Sequence, residues 1–174
     1  IPWLQNLGTH GYNFSVDEQN GLVYTCKAGF IDIGHVREAA DRTAYAEAVI
    51  RENTLNSAEK FTLKIIEPSI YHVSLTYPQQ WNLFTTEMKK EIAHKLAINL
   101  GQYIAHTSLI WHEIITWYGF SSSGFFSEKI SSFSPEDTYS DLIGTKLAAK
   151  ALSRPDLDFN EQMTDLIYKQ LLRL

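Results

Sequence analysis

The stretch IWHEIITWYGF, residues 110–120, opens as the zinc-protease helix signature H-E-x-x-H opens. His112 stands where the first zinc ligand would be, and Glu113 where the general base would be. Four residues after His112, where a helix would bring a second imidazole onto the same face, the chain has Thr116. A metal reading must therefore draw its other ligands from elsewhere. His35 follows the short segment FIDI at the start of a helical pattern, with Asp32 three residues earlier. His10 lies in a glycine-flanked loop. His10, His35 and His112, with Glu113 as base, would make a three-histidine zinc site with one open coordination position.

A plainer reading competes with this one and is weighed ahead of it. His106 and Glu113 are two turns apart and share a stripe with Tyr103, Ile110 and Trp117. His112 lies about a third of a turn away, so His106 and His112 do not converge on one ion. Glu113 on an apolar helix can be paired with Arg37 or Arg42, and His112 can be a satisfied core histidine. Catalysis without a metal ranks third. For that, Cys26 and His35 would form a thiolate pair with Asp32 orienting the imidazole. Cys26, however, sits in an apolar strand and reads as a buried spectator. The chain contains no serine nucleophile elbow, phosphate-binding loop or EF-hand loop.

The elements that must position these residues follow from hydrophobic period. Residues 1–20 show no sustained period and read as loop and turn anchored by Trp3 and Leu4. GLVYTC and FIDI are short extended pieces. From His35, Val36, Ala39, Ala40, Thr43, Ala46 and Ile50 recur at helical spacing, with Glu47 at the edge of the stripe. Phe61, Leu63 and Ile65, then Tyr71, Val73 and Leu75, alternate with polar residues around Glu67-Pro68-Ser69, a hairpin. One long helix is predicted from Thr85 to about Tyr118, kinked near Gly101. Its apolar side is Met88, Ile92, Leu96, Tyr103, Ile110 and Ile114, and its second half reads as central and buried. A serine-rich loop holding Phe120, Phe125, Phe126 and Phe133 follows. SPED at 134–137 starts a helix that ends before Pro155, and DFNE at 158–161 starts the last. The expected fold is α+β: a small antiparallel sheet packed on about four helices, one of them long and central, in a single domain over 1–174.

Composition narrows the function classes. The 174 residues are 44% hydrophobic and 20% charged, which suits one globular core rather than a disordered chain. A net charge of −5 without basic clusters argues against nucleic acid as a partner and against an anionic membrane surface. No apolar run approaches the roughly 20 residues of a membrane span. One cysteine excludes an intrachain disulfide and cysteine-clustered zinc sites. The chain starts at Ile1 and stops inside the helical pattern KQLLRL, as expected for a segment of a longer precursor.

LGTHGYN, NGLVYTCKAGFIDIGHVREAADRTAY, WHEIITWYGF and SSFSPEDTYSDLIGTKLA, spanning about Leu7 to Ala149, resemble a bacterial family of unknown function, DUF4056. The resemblance implies a secreted or lipid-anchored protein of the periplasm or outer membrane. It places His10, Cys26, Asp32, His35, His112 and Glu113 in family motifs. The chain departs from the family pattern at Lys27-Ala28-Gly29. The expectation carried forward is a non-catalytic structural or assembly module of the bacterial cell envelope. By analogy it would be a component of a type IV secretion outer-membrane complex. Its partners would be other envelope proteins, and any membrane association would run through a lipid anchor outside this segment. The alternative is a zinc-dependent, hydrolase-like envelope domain built on His112–Glu113 with His35.

Overall fold

A computed structural model describes residues 20–65, 69–121, 129 and 132–174 of the chain. His10, Trp3, Leu4, the Glu67-Pro68 step of the hairpin turn, Phe125 and Phe126 lie outside the described residues. The element order is β1 (Leu22–Thr25), β2 (Gly29–Asp32), α1 (Ile33–Leu55), β3 (Lys60–Lys64), β4 (Ile70–Ser74), α2 (Thr86–Trp117), α3 (Pro135–Leu152) and α4 (Phe159–Arg173). A short 3-10 turn, Trp81–Leu83, precedes α2. The fold is α+β, and the strands form two antiparallel pairs, β1–β2 and β3–β4. No helix of the described residues is long and apolar enough to cross a membrane.

Each helix starts where a short polar side chain can cap it. Thr85 accepts from the Met88 amide, Ser134 from Asp137 and Asp158 from Glu161, each satisfying an N–H that has no partner inside the helix. Asp32 does the same for α1, so that helix begins at Ile33, two residues earlier than its apolar stripe alone indicates. The β3–β4 hairpin follows the period of two. Leu63 and Val73 are buried and Phe61, Tyr71 and Leu75 half-buried, while His72, Ser74 and Thr76 are exposed. Phe61 pairs with Val73 and Leu63 with Tyr71.

α1 is the spine of the packing. Its first half joins Ile31, Ile33, Val36 and Ala40 to Ile143, Leu147, Met163 and Ile167 of α3 and α4. Its second half joins Ala46 and Ile50 to Leu63, Val73, Ala97 and Ile104. Two glycines let neighbouring helices approach it. A Cβ on Gly144 would run into the Val36 carbonyl and stand 2.7 Å from the Ala39 Cβ; one on Gly101 would stand 2.9 Å from the Glu47 amide nitrogen. Gly101 is thus a contact point, and α2 is one helix through it.

The buried side of α2 is not the side its large residues indicate. Ala93, Ala97, Gly101, Ile104, Ala105, Ser108 and Leu109 face the core. Met88, Ile92, Tyr103 and Ile110 of the expected core side are instead exposed, and so is Trp117. Among the described residues, the outer side of the second half of α2 is covered in part: Glu113 is buried, and the Trp117 ring meets Phe133 and Lys129. Small residues win the inner face because they bring the α2 backbone close to α1, which a row of bulky side chains would prevent.

Candidate functional site

The junction between β2 and α1 is tied to the first two turns of α3. Asp32 ends β2. Its carboxylate Oδ1 accepts from the amides of Gly34 (2.7 Å) and His35 (3.2 Å), and its own amide donates to Ser140 Oγ at 2.8 Å. His35 therefore sits in the first turn of α1 with its ring aimed across at α3. Its Nδ1 lies 3.1 Å from Asp141 Oδ1 and its Nε2 lies 3.5 Å from Asp137 Oδ1. Asp137 and Asp141 are one helical turn apart, so both carboxylates project from the same face of α3. Ser134 and Pro135 fix the start of that helix, and hence the height of both aspartates.

The charges decide what this arrangement can do. Burial disfavours a charged His35, but the hydrogen bond and charge of Asp141, with Asp137 and Asp32 behind it, outweigh burial and raise its pKa to about 9. His35 is then an imidazolium at neutral pH, held by carboxylates, rather than a base poised near neutrality. Asp141 is raised above the ordinary aspartate value, first by burial, against the opposing pull of His35; Glu38 and Glu113 add to the rise. His35 and Asp141 are joined by this 3.1 Å hydrogen bond, which favours the cationic imidazole.

Around this pair the polar residues are committed. Arg42 forms an ion pair with Glu38 and donates to Ser108 Oγ at 3.2 Å, and Arg37 donates to Asn20 Oδ1 at 2.8 Å. Glu113 is buried, as its place on an apolar helix requires, and its Oε2 accepts the backbone amide of Phe133. Phe133 has φ 60°, a left-handed conformation unusual for a bulky residue and held here in part by that bond. His112 packs edge-on against Phe120, ring centroids 6.1 Å apart. Thr116, in the place of the second zinc histidine, is buried.

The residues singled out in the sequence thus separate. His35 and Asp32 meet, but the acidic partners they meet are Asp137 and Asp141. Among the described residues, the group whose ligand atoms all lie within 4.8 Å of one another is Asp32, His35 and Asp137; His112 is not in it. Cys26 is exposed, which corrects the expectation of a buried thiol. The reason is local: β1 ends at Thr25, so Cys26 falls in the turn to β2 rather than in the strand. Asp137, Ser140 and Asp141 were missed because SPEDTYSD reads first as a helix start, whose acids suit the positive end of the helix dipole. The signal was their spacing, which puts all three on adjoining positions of one helical face.

Fold and site together define a mixed α+β domain whose polar centre is an imidazolium held between helices by aspartates. The chain belongs to the family described as protein of unknown function (DUF4056), whose profile matches residues 4–174. No curated protein and no solved structure matches it.

Proposed function

We propose that this domain is a non-catalytic structural or assembly module of the bacterial cell envelope, and that it works by docking α2 on a helix of another envelope protein. The observation that carries this reading is the outer stripe of α2. At 100° per residue, Met88, Ile92, Tyr103, Ile110 and Trp117 fall within about 60° of one another, opposite Ala97 and Gly101. Tyr103 is 68%, Ile110 46% and Trp117 50% exposed. The last three are spaced by seven, the interval at which one helix meets another along a seam. Asn99 and His106 interrupt the stripe, but its large apolar side chains are costly to leave in water and are expected where a partner covers them. The polar cluster at His35 then has a stitching role, holding the β2–α1 junction against α3. A component of a type IV secretion outer-membrane complex is the specific form of this proposal, by analogy with lipoprotein-like domains recruited to such machines.

The test uses the full-length protein in its own bacterium. Detergent-extracted envelopes are fractionated by size, for the parent and for Ile110→Glu. The expected result is a high-mass complex that loses this protein in the variant, while the melting temperature of the purified domain is unchanged. A parent protein that fractionates as a monomer refutes the reading.

A second reading has one observation in its favour. Asp32, His35 and Asp137 are a donor set of the kind that holds a divalent cation, and Asp141 orients the imidazole through Nδ1 as carboxylates do behind metal-bound histidines. It keeps His35 from the zinc-hydrolase expectation and replaces the other two histidines by aspartates. Metal analysis of protein purified without a histidine tag tests it. Substoichiometric metal ends it; a stoichiometric ion lost in His35→Ala supports it.

A further inference from the structure

We infer that the cavity between α1, the first half of α2 and the α3–α4 turn is a binding site for a small organic carboxylate with an apolar body. The cavity has a volume of about 300 Å³, within the range of small-molecule sites. Its polar wall is Glu47 and Arg51 of α1, His94 of α2, and Arg154 and Gln162; Leu157 and Phe159 belong to its apolar wall.

The charge balance selects the ligand class. Among the described residues Glu47 is the one carboxylate in the wall, and it is buried and already answered. Its Oε1 accepts from Arg51 Nε at 2.8 Å and lies 3.5 Å from His94 Nδ1. Arg51 thus spends Nε on Glu47, and its two terminal nitrogens have no partner among the described residues. Arg154 has no carboxylate partner among the described residues either. Two guanidiniums against one carboxylate leave the wall with a net positive charge. Planar guanidinium groups match a carboxylate by paired hydrogen bonds. The wall is also not closed by its own hydrogen bonds: His94 Nε2 is enclosed without a partner, as is Gln162 Oε1, an acceptor that a carboxylate does not satisfy. Gln162 is otherwise fixed, since its Nε2 donates to the carbonyls of Arg154 and Leu157. That pair of bonds sets the turn that carries Arg154 to the cavity. A carboxylate placed toward Arg51 and Arg154 leaves an apolar body against Leu157 and Phe159.

The probe is 3-phenylpropanoate, compared with 3-phenylpropanamide, its uncharged counterpart, by amide chemical shifts of the isotope-labelled protein. The expected result is saturable shifts centred on His94 and Ala151–Gln162, with millimolar affinity for the acid and at least about tenfold weaker binding of the amide. Arg154→Gln, an exposed position whose loss leaves the fold intact, weakens the acid about tenfold, and Arg154→Lys recovers part of it. Three results overturn the inference: no saturable shift up to about 20 mM acid, equal affinity for acid and amide, or unchanged affinity in Arg154→Gln.

Discussion

Replacing His35 by glutamine changes the pH dependence of stability in a way that only a charged, carboxylate-held imidazole produces. The folded-state pKa of His35 is about 9 against an ordinary value of 6.5. A group whose pKa is raised on folding stabilises the fold fully below its unfolded pKa and loses that contribution as pH rises through its folded pKa. The window is therefore about pH 6.5 to 9. The difference of about 2.5 units corresponds to roughly 3 kcal/mol at 1.36 kcal/mol per unit. The side chain is 25% exposed, so solvent screening takes a modest part of this and the order of magnitude stands. The assay is urea unfolding of parent and His35→Gln at pH 6 and pH 9.5, with chelator present so that metal binding does not contribute. The parent should be the more stable by about 3 kcal/mol at pH 6, and the gap should close toward pH 9.5. Titrating groups away from this pair are common to both proteins and cancel in the difference; Asp141 does not, because His35→Gln removes the hydrogen bond and charge that hold its carboxyl down. Parallel pH curves would show that His35 carries no charge into the fold, and the stitching account would fail with it.

Two further outcomes follow from packing. Gly144→Ala gains at most about 1 kcal/mol of helix propensity but drives a methyl into the Val36 carbonyl, so a net loss of about 1–3 kcal/mol is expected in urea midpoints, with a smaller loss for Gly101→Ala, whose nearest obstacle is the Glu47 amide at 2.9 Å. Val73→Asp puts a carboxylate against Leu63 and should cost several kcal/mol, enough to unfold the domain by circular dichroism, whereas Ser74→Asp on the exposed face leaves the melting curve in place.

The elements legible in the sequence are those whose signals are local. The period of two around residues 61–75 gives the hairpin, and Ser134 and Asp158 announce their helices by the oxygen each offers to a free amide. The stripe of α1 is also legible, because one side of that helix faces neighbours along most of its length. α2 misleads, since hydrophobic period identifies the large residues and assumes that they face inward. Here the inner face is chosen by size: Ala97, Gly101 and Ala105 are what α1 admits, and Tyr103 and Trp117 are left outside. The polar cluster was half legible. Asp32 and His35 are neighbours in sequence and in space, but their partners lie on α3, and nothing in the local sequence at either end names the other.

The distance along the chain between those ends has a consequence for how the protein is made. His35 and Asp141 are 106 residues apart, and the Asp32–Ser140 bond spans 108. A ribosome adding roughly 5–20 residues per second takes about 5–20 s to cover that interval. Throughout it the face of α1 carrying Val36, Ala39 and Ala40 has been synthesised, while the helix bearing Gly144 that covers it has not. Contacts of such long sequence separation form late and bring a large loop-closure entropy with them. For those seconds the apolar face of α1 lacks the helix that covers it in the finished molecule, where Val36, Ala39 and Ala40 are buried.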